Sequence, residues 1–208
     1  MFKTEQEKFW HGKFGDDYIE RNKSYQLLSS NIALFSKIIS KTIGIKSVIE
    51  FGANIGLNLK ALDRLIPNVS CTAIEINHKA AEILKNDNEF QNKVCVQENS
   101  ILEFSPVQKY DITLIKGVLI HINPNELNNV YEKLYNSSSK YICIAEYYNP
   151  KPVTVTYNGN EDKLFKRDFA GELMDKYCDL QLVDYGFVYH RDSNFKQDDI
   201  TWFLLEKK

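Results

Sequence analysis

Apolar residues along this chain follow two rhythms that take turns. From Lys46 onward, short and nearly continuous apolar runs recur at Ser47–Phe51, Ser70–Ile76, Lys93–Glu98, Asp111–Ile115 and Tyr141–Ala145. Such runs, rich in branched residues, predict strands covered on both faces. Between them, Leu57–Ile66, Lys79–Asn86 and Glu126–Asn136 carry apolar residues at helical spacing. The last places Leu127, Val130, Tyr131 and Leu134 on one stripe. Ahead of that stripe stand Asn123 as a cap, Pro124 in the first turn and Glu126 at the capping-box position. Upstream, Ser24–Lys41 aligns Leu28, Ile32, Phe35 and Ile39, with Lys37 and Lys41 off that face, and stops near Gly44. Strand and helix alternating in this way predict an α/β domain, a mainly parallel sheet with helices on both faces.

Two segments break the rhythm. Residues 1–22 concentrate Phe9, Trp10, Gly12, Phe14, Gly15, Tyr18, Arg21 and Asn22, and read either as a clamp on the domain edge or as a lid. Residues 147–163, with prolines and a Tyr-Asn-Gly-Asn turn, are too long for an ordinary loop and read as a functional insertion. A helix is expected from about Leu164 to Tyr177. Then Gln181–His190 and Ile200–Glu206 read as a closing antiparallel hairpin. At 208 residues the chain fits one domain: an N-terminal cap over 1–44, a core over 45–146 and an acceptor-side portion over 147–208.

The chemistry gathers at Lys46–Gly56, K-S-V-I-E-F-G-A-N-I-G, where a strand runs into a glycine turn and a helix follows. Glycine allows close backbone approach to a ligand, and a helix N-terminus offers unpaired N–H groups. A dinucleotide turn needs glycine at its first, third and sixth positions; here those are Gly52, Asn54 and Leu57. The phosphate-loop Gly-Lys-Ser/Thr is absent. The pattern that fits is acidic-x-Gly-x-Gly-x-Gly, as Glu50, Gly52, Asn54 and Gly56, with Asn tolerating positive φ in place of the middle glycine. That spacing favours S-adenosylmethionine over a dinucleotide or ATP, with Ala53 and Leu57 in the same cradle.

Further candidates lie at the carboxyl ends of later strands, where open α/β sheets bind ligands. Glu75, followed by Ile76, stands 19 residues past Gly56, where an acidic side chain accepts hydrogen bonds from ribose hydroxyls. Glu50 faces the same cleft, either holding the turn or reaching an ammonium group. Asn99, Ser100 and Ile101 follow the third strand, where an adenine edge would be read. Lys116 and Gly117 follow the fourth. His121 sits in an apolar run and reads as structural.

Composition narrows the classes without changing this picture. A 43% apolar, 26% charged chain is ordinary for a globular protein, and a net charge of −2 gives no reason to expect nucleic acid or an anionic membrane as partner. No run approaches the roughly 18 apolar residues of a membrane span, and the N-terminus lacks a signal-peptide apolar region, so the cytoplasm is the expected compartment. Cys71, Cys95, Cys143 and Cys178 are far apart and read as buried structural thiols; no metal site is expected.

The Glu50–Gly56 turn, Glu75, the Lys116–Pro124 stretch and the terminal hairpin resemble a class I S-adenosylmethionine-dependent methyltransferase. More narrowly, the chain resembles the pseudaminic acid biosynthesis-associated methylases. The blocks that carry this are F-G-D-D-Y-I-E-R-N (14–22), E-F-G-A-N-I-G-L-N-L (50–59), K-G-V-L-I-H-I-N-P (116–124), A-E-Y-Y-N-P (145–150), L-F-K-R-D-F-A-G-E (164–172), V-D-Y-G-F-V-Y-H-R-D (183–192) and D-D-I-T-W-F-L-L-E (198–206). The resemblance implies a Rossmann-like fold, a seven-stranded sheet closed by the hairpin, and a small sugar or nucleotide-sugar acceptor of the nonulosonate type. Methylating a hydroxyl or ammonium also requires a proton acceptor. His190, Glu146 and Asp168 are the candidates, with Tyr147, Tyr148, Arg167 and Arg191 shaping the acceptor pocket. A non-catalytic cofactor-binding scaffold is the alternative.

Overall fold

The computed structural model describes residues 2–90 and 93–208. Five strands run parallel: β1 (Ser47–Phe51), β2 (Ser70–Glu75), β3 (Val94–Glu98), β4 (Tyr110–Lys116) and β5 (Ser138–Glu146). The late strands β8 (Leu180–Val188) and β9 (Ile200–Lys207) complete a seven-stranded sheet in the order β3-β2-β1-β4-β5-β9-β8, with β9 antiparallel to both its neighbours. Phe51 pairs with Ile74 of β2 and with Ile115 of β4, so these strands end level and their carboxyl ends share one edge.

The period-two alternation of the strands divides the core. Val48, Cys71, Ala73, Ile112, Leu114 and Leu204 face α3 (Tyr25–Ile39) and α4 (Leu57–Leu65). Ile49, Phe51, Ile74, Ile115, Ile142 and Leu205 face α6 (Leu127–Ser137) and α7 (Phe169–Lys176). A further helix, α5 (His78–Lys85), is capped by Asn77, whose side chain accepts from the Ala80 amide at 2.9 Å.

The N-terminal segment forms two helices, α1 (Glu5–His11) and α2 (Lys13–Arg21), where the sequence offered only an aromatic clamp or lid. Thr4 caps α1, and Glu7 closes the capping box by accepting from the Thr4 amide at 2.8 Å. Gly15 allows α2 to cross the end of α1, because a Cβ there would collide with the Trp10 carbonyl.

The suspected insertion after β5 is a hairpin, β6 (Val153–Tyr157) and β7 (Asn160–Lys166), paired apart from the main sheet. Asn158 and Gly159 turn it with φ of 47° and 78°, the paired positive values of a two-residue hairpin turn. This corrects the helix expected from Leu164: Leu164 and Phe165 pair with Val155 and Thr154, and the helix begins at Phe169. Asn123 caps the short 3-10 turn Pro124–Glu126 rather than α6 itself. Cys71 and Cys143 are buried, whereas Cys95 and Cys178 are exposed, and all four are free thiols. Among the described residues, no helix is long and apolar enough to cross a membrane.

Candidate active site

A cavity of about 650 Å³ opens at the carboxyl edge of β1, β2 and β4. Its floor is the turn after β1. Gly52 and Gly56 have φ of 78° and 77°, and Asn54 between them 49°. A Cβ on Gly52 would also stand 2.5 Å from a Val118 methyl, so both conformation and space demand glycine. The Gly52 and Ala53 amides donate to the Ile74 carbonyl at 2.8 and 3.1 Å, tying the turn to β2.

Glu75, at the end of β2, is the second tie. Its Oε2 accepts from the Asn54 amide and its Oε1 from the Asn77 amide, both at 2.7 Å. A carboxylate has about four lone-pair sites, so acceptor capacity is left over for a ligand. Burial pushes this carboxyl above the usual range, against the pull of its amide donors. Glu50 shares a strand face with Val48, which turns it toward α4. There its Oε1 accepts from Asn58 at 2.6 Å, and burial pushes its pKa up to about 8. Among the described residues, Glu50 Oε2 and Asn54 Oδ1 are buried without hydrogen-bond partners.

One wall is apolar, from Ile74, Ile101, Leu102 and Ile122, with buried Ser100 and Glu7 in contact through Ser100 Oγ and Glu7 Oε1. At the end of β4, Lys116 projects near Glu50, Asp198 and Glu146, and burial lowers its pKa. Behind it, Glu146 Oε1 accepts from the Val118 and Leu119 amides at 2.9 Å each. That bond pair fixes the loop carrying Gly117 and Val118, and burial raises the Glu146 carboxyl to about 7.

The far end is aromatic. Trp10, Tyr18, Tyr147, Tyr157 and His121 line it, together with Arg21, His190, Lys196 and Asp198. The His121 ring lies 4.6 Å from Trp10 and 4.9 Å from Tyr157. Its Nδ1 stands 2.5 Å from the Lys163 carbonyl, which can only accept, so the proton is on Nδ1 and the free lone pair on Nε2. Burial pushes its pKa down to about 4, which keeps it neutral and weakly basic. His190 is held differently: Asp199 oxygens lie 2.8 and 2.9 Å from its Nδ1, and its backbone amide donates to Asp199 at 3.0 Å. These bonds hold the Asp199 carboxyl below the usual range and leave His190 Nε2 as a proton acceptor.

Of the residues singled out from sequence, Gly52, Ala53, Asn54, Leu57, Glu75, Ile76, Ser100, Ile101, Lys116, Gly117, Tyr147 and His190 line this one cavity. Glu50, Gly56, Asn99 and Glu146 lie outside its wall; Gly56 starts α4 and Asn99 is exposed. Asp168, Arg167, Tyr148 and Arg191 are also outside it. Asp168 caps α7 by accepting from the Gly171 amide at 2.9 Å, and Arg167 donates to Glu172 at 2.6 Å. Tyr148 packs near Phe203, and Arg191 is exposed. Sequence reading gives no site role to Gln6, Glu7, Asn77, Tyr157, Asp198 or Asp199; Tyr157 stands there only as part of a turn and Asp198 and Asp199 only within a resemblance block, and the Thr4–Glu7 capping-box spacing is the signal that could have marked Glu7. His78, Glu82 and Glu98 cluster on the surface outside the cavity. There Lys85 already stands 2.9 and 3.2 Å from the two carboxylates.

No protein-family model matches the chain, and a search of curated proteins finds no match. Solved structures do match in fold. An S-adenosylmethionine-dependent methyltransferase from Leishmania major aligns with TM-score 0.73 at 14% identity, over 96% of this chain and 81% of that one. The magnesium protoporphyrin IX methyltransferase of Synechocystis, with S-adenosylmethionine bound, aligns with TM-score 0.69 at 10% identity over the full length of both. A 1,6-didemethyltoxoflavin N1-methyltransferase from Burkholderia thailandensis, with S-adenosylhomocysteine bound, aligns with TM-score 0.70 at 12% identity, over 97% of this chain and 87% of that one. The chain therefore has the Rossmann-like fold of these methyltransferases.

Proposed function

We propose that this chain is an S-adenosylmethionine-dependent methyltransferase acting on a hydroxyl or amino group of a small molecule. The observation that carries this is Glu75, seated at the end of β2 between two turn amides, with spare lone pairs beside a glycine cradle. The residues fit the cofactor. Glu75 would take the ribose hydroxyls, Asn54 has a buried oxygen to satisfy, and the Lys116 ammonium would meet the carboxylate of the methionine end. The cofactor, when bound, supplies a methyl group already activated on a sulfonium.

What remains for the protein is positioning and proton removal. Positioning alone is worth up to roughly 7–11 kcal/mol in well-oriented reactions. The aromatic end, with Trp10, Tyr18, Tyr147 and Tyr157, holds the acceptor and excludes water. His190, its Nδ1 proton held by Asp199, takes the acceptor proton on Nε2. His121 is the poorer base, since a group with pKa near 4 holds a proton weakly at neutral pH. Glu146 acts through the loop it fixes.

The acceptor we favour is a sugar acid of the nonulosonate type or its nucleotide-activated precursor. Support comes from the resemblance of the sequence blocks to the pseudaminic acid-associated methylases, and from Arg21 and Lys196, cations on the cavity wall that suit a carboxylate or phosphate. A mass-spectrometric search for a gain of about 14 Da on candidate sugars, with enzyme and donor, tests the reading. Methylation of tRNA or protein with none of any sugar overturns the acceptor class. Adenosylhomocysteine binding without turnover of any acceptor favours a scaffold role, and tighter binding of NAD refutes the cofactor.

A further inference from the structure

We infer that Glu7, delivered by the N-terminal helix α1, selects adenine in the bound cofactor by accepting a hydrogen bond from its 6-amino group. The inference rests on the methyl-donor reading and adds to it a specificity residue contributed from outside the sheet. Glu7 is 7% exposed and lines the cavity beside Ser100, Ile101 and Leu102. Its two oxygens have separate duties. Oε2 accepts from the Lys3 and Thr4 amides at 2.7 and 2.8 Å and so belongs to the helix cap. Oε1 reaches across to β3's loop, where it meets the Ser100 hydroxyl.

That hydroxyl accepts from the Leu102 amide at 3.0 Å, so its single proton is the one it gives to Glu7. Ser100 and Glu7 therefore present acceptors only to the cavity. The apolar surfaces of Ile74, Ile101, Leu102 and Ile122 around them suit the faces and edges of a flat ring. An exocyclic amino group brings the donor that Oε1 can still accommodate. A 6-oxo group in its place would set lone pair against carboxylate, beside an apolar wall. Buried polar sites reject such mismatched analogues strongly, because the protein group is left unpaired.

Calorimetry on the full chain with S-adenosyl-L-homocysteine and S-inosyl-L-homocysteine tests the assignment. The wild type is expected to prefer the adenosyl compound by about 10- to 100-fold, as a hydrogen bond to a charged acceptor allows. Glu7→Gln keeps the cap, since glutamine serves in a capping box, but can turn an N–H donor toward the ring. Its preference is expected to fall to within about threefold, through weaker adenosyl and stronger inosyl binding. Ser100→Ala leaves the carboxylate in place and is expected to keep the preference. An unchanged ratio in folded Glu7→Gln overturns the assignment, as does a ratio lost in Ser100→Ala but not in Glu7→Gln. If the wild type binds no adenosylhomocysteine, the methyl-donor reading fails first and this inference with it.

Discussion

Replacing Glu75 separates the turn's stability from its grip on a ligand. In Glu75→Ala the Asn54 and Asn77 amides, each at 2.7 Å, lose a charged acceptor in a buried site. A hydrogen bond to a charged group is worth about 1.5–3 kcal/mol, and water entering the space restores part of it. A net loss of about 3 kcal/mol corresponds to a fall of roughly 6–12 °C in melting temperature for a chain of this size. Ligand binding should suffer independently, because two ribose hydroxyls would lose the same acceptor. That predicts adenosylhomocysteine affinity lower by about 100-fold or more. Glu75→Gln sharpens the test. Its amide oxygen can accept one of the two amides, so stability should fall less, while one ribose hydroxyl meets an N–H donor. Thermal denaturation and calorimetry on both variants give the two numbers. Folded variants that bind adenosylhomocysteine within about threefold of wild type would refute the reasoning, whatever their melting temperatures.

Three further outcomes follow from the same geometry. Gly52→Ala forces a Cβ onto a residue with φ of 78° and against Val118, and should cost about 1–3 kcal/mol by denaturant unfolding. Glu50 and Glu146 have folded pKa values raised to about 8 and about 7, so the folded chain holds protons that the unfolded chain has released. Stability of the ligand-free protein should therefore be highest below about pH 4 for these two groups and fall as pH rises from there toward 8, and Glu50→Gln should flatten that slope in melting curves. His190→Gln should lower kcat by about 10²–10⁴ with adenosylhomocysteine affinity kept within about threefold, a split that steady-state kinetics and calorimetry read directly.

What could be read from the sequence was what local pattern encodes. Continuous apolar strands specify a sheet covered on both faces, and the glycine spacing fixes a turn that L side chains rarely enter. Glu75 was legible because a carboxylate ending an apolar strand needs a partner. The acceptor side was harder, because its chemistry depends on contacts between distant residues. Asp168 looked like a base and proves to be a cap, since an Asp before a helix is more simply an N-cap. Arg167 likewise meets Glu172 five residues on. Conversely, Tyr157 reaches the cavity only through the pairing of the β6–β7 hairpin, and Asp199 meets His190 only when the β8–β9 connection folds back on itself. The Asn158–Gly159 pair was visible as a turn, but the apolar residues after it fit a strand or a helix equally well, and the ladder with β6 decided the matter.

The two halves of the cavity are made of different material, and this bears on how the protein can vary. The donor half is built from strand ends and their turns: Gly52 and Ala53 on the Ile74 carbonyl, Asn54 and Asn77 on Glu75. Disturbing any of these disturbs the sheet itself. The acceptor half is a roof of three separate segments, the α1–α2 pair, the β6–β7 hairpin and the connection after β8. The first two meet through side chains rather than through a shared backbone ladder. Trp10 stands 4.6 Å from His121, Phe14 5.8 Å from Tyr157, and the Gln6 amide donates to the Asp162 carbonyl at 3.0 Å. Substitutions in the roof can thus reshape the acceptor pocket at little cost to the fold. Glu7 is the exception, because it lies in the roof while pointing at the donor end. Through it α1 touches both halves, so a substitution that displaces α1 should weaken adenosylhomocysteine binding as well as reshape the aromatic end.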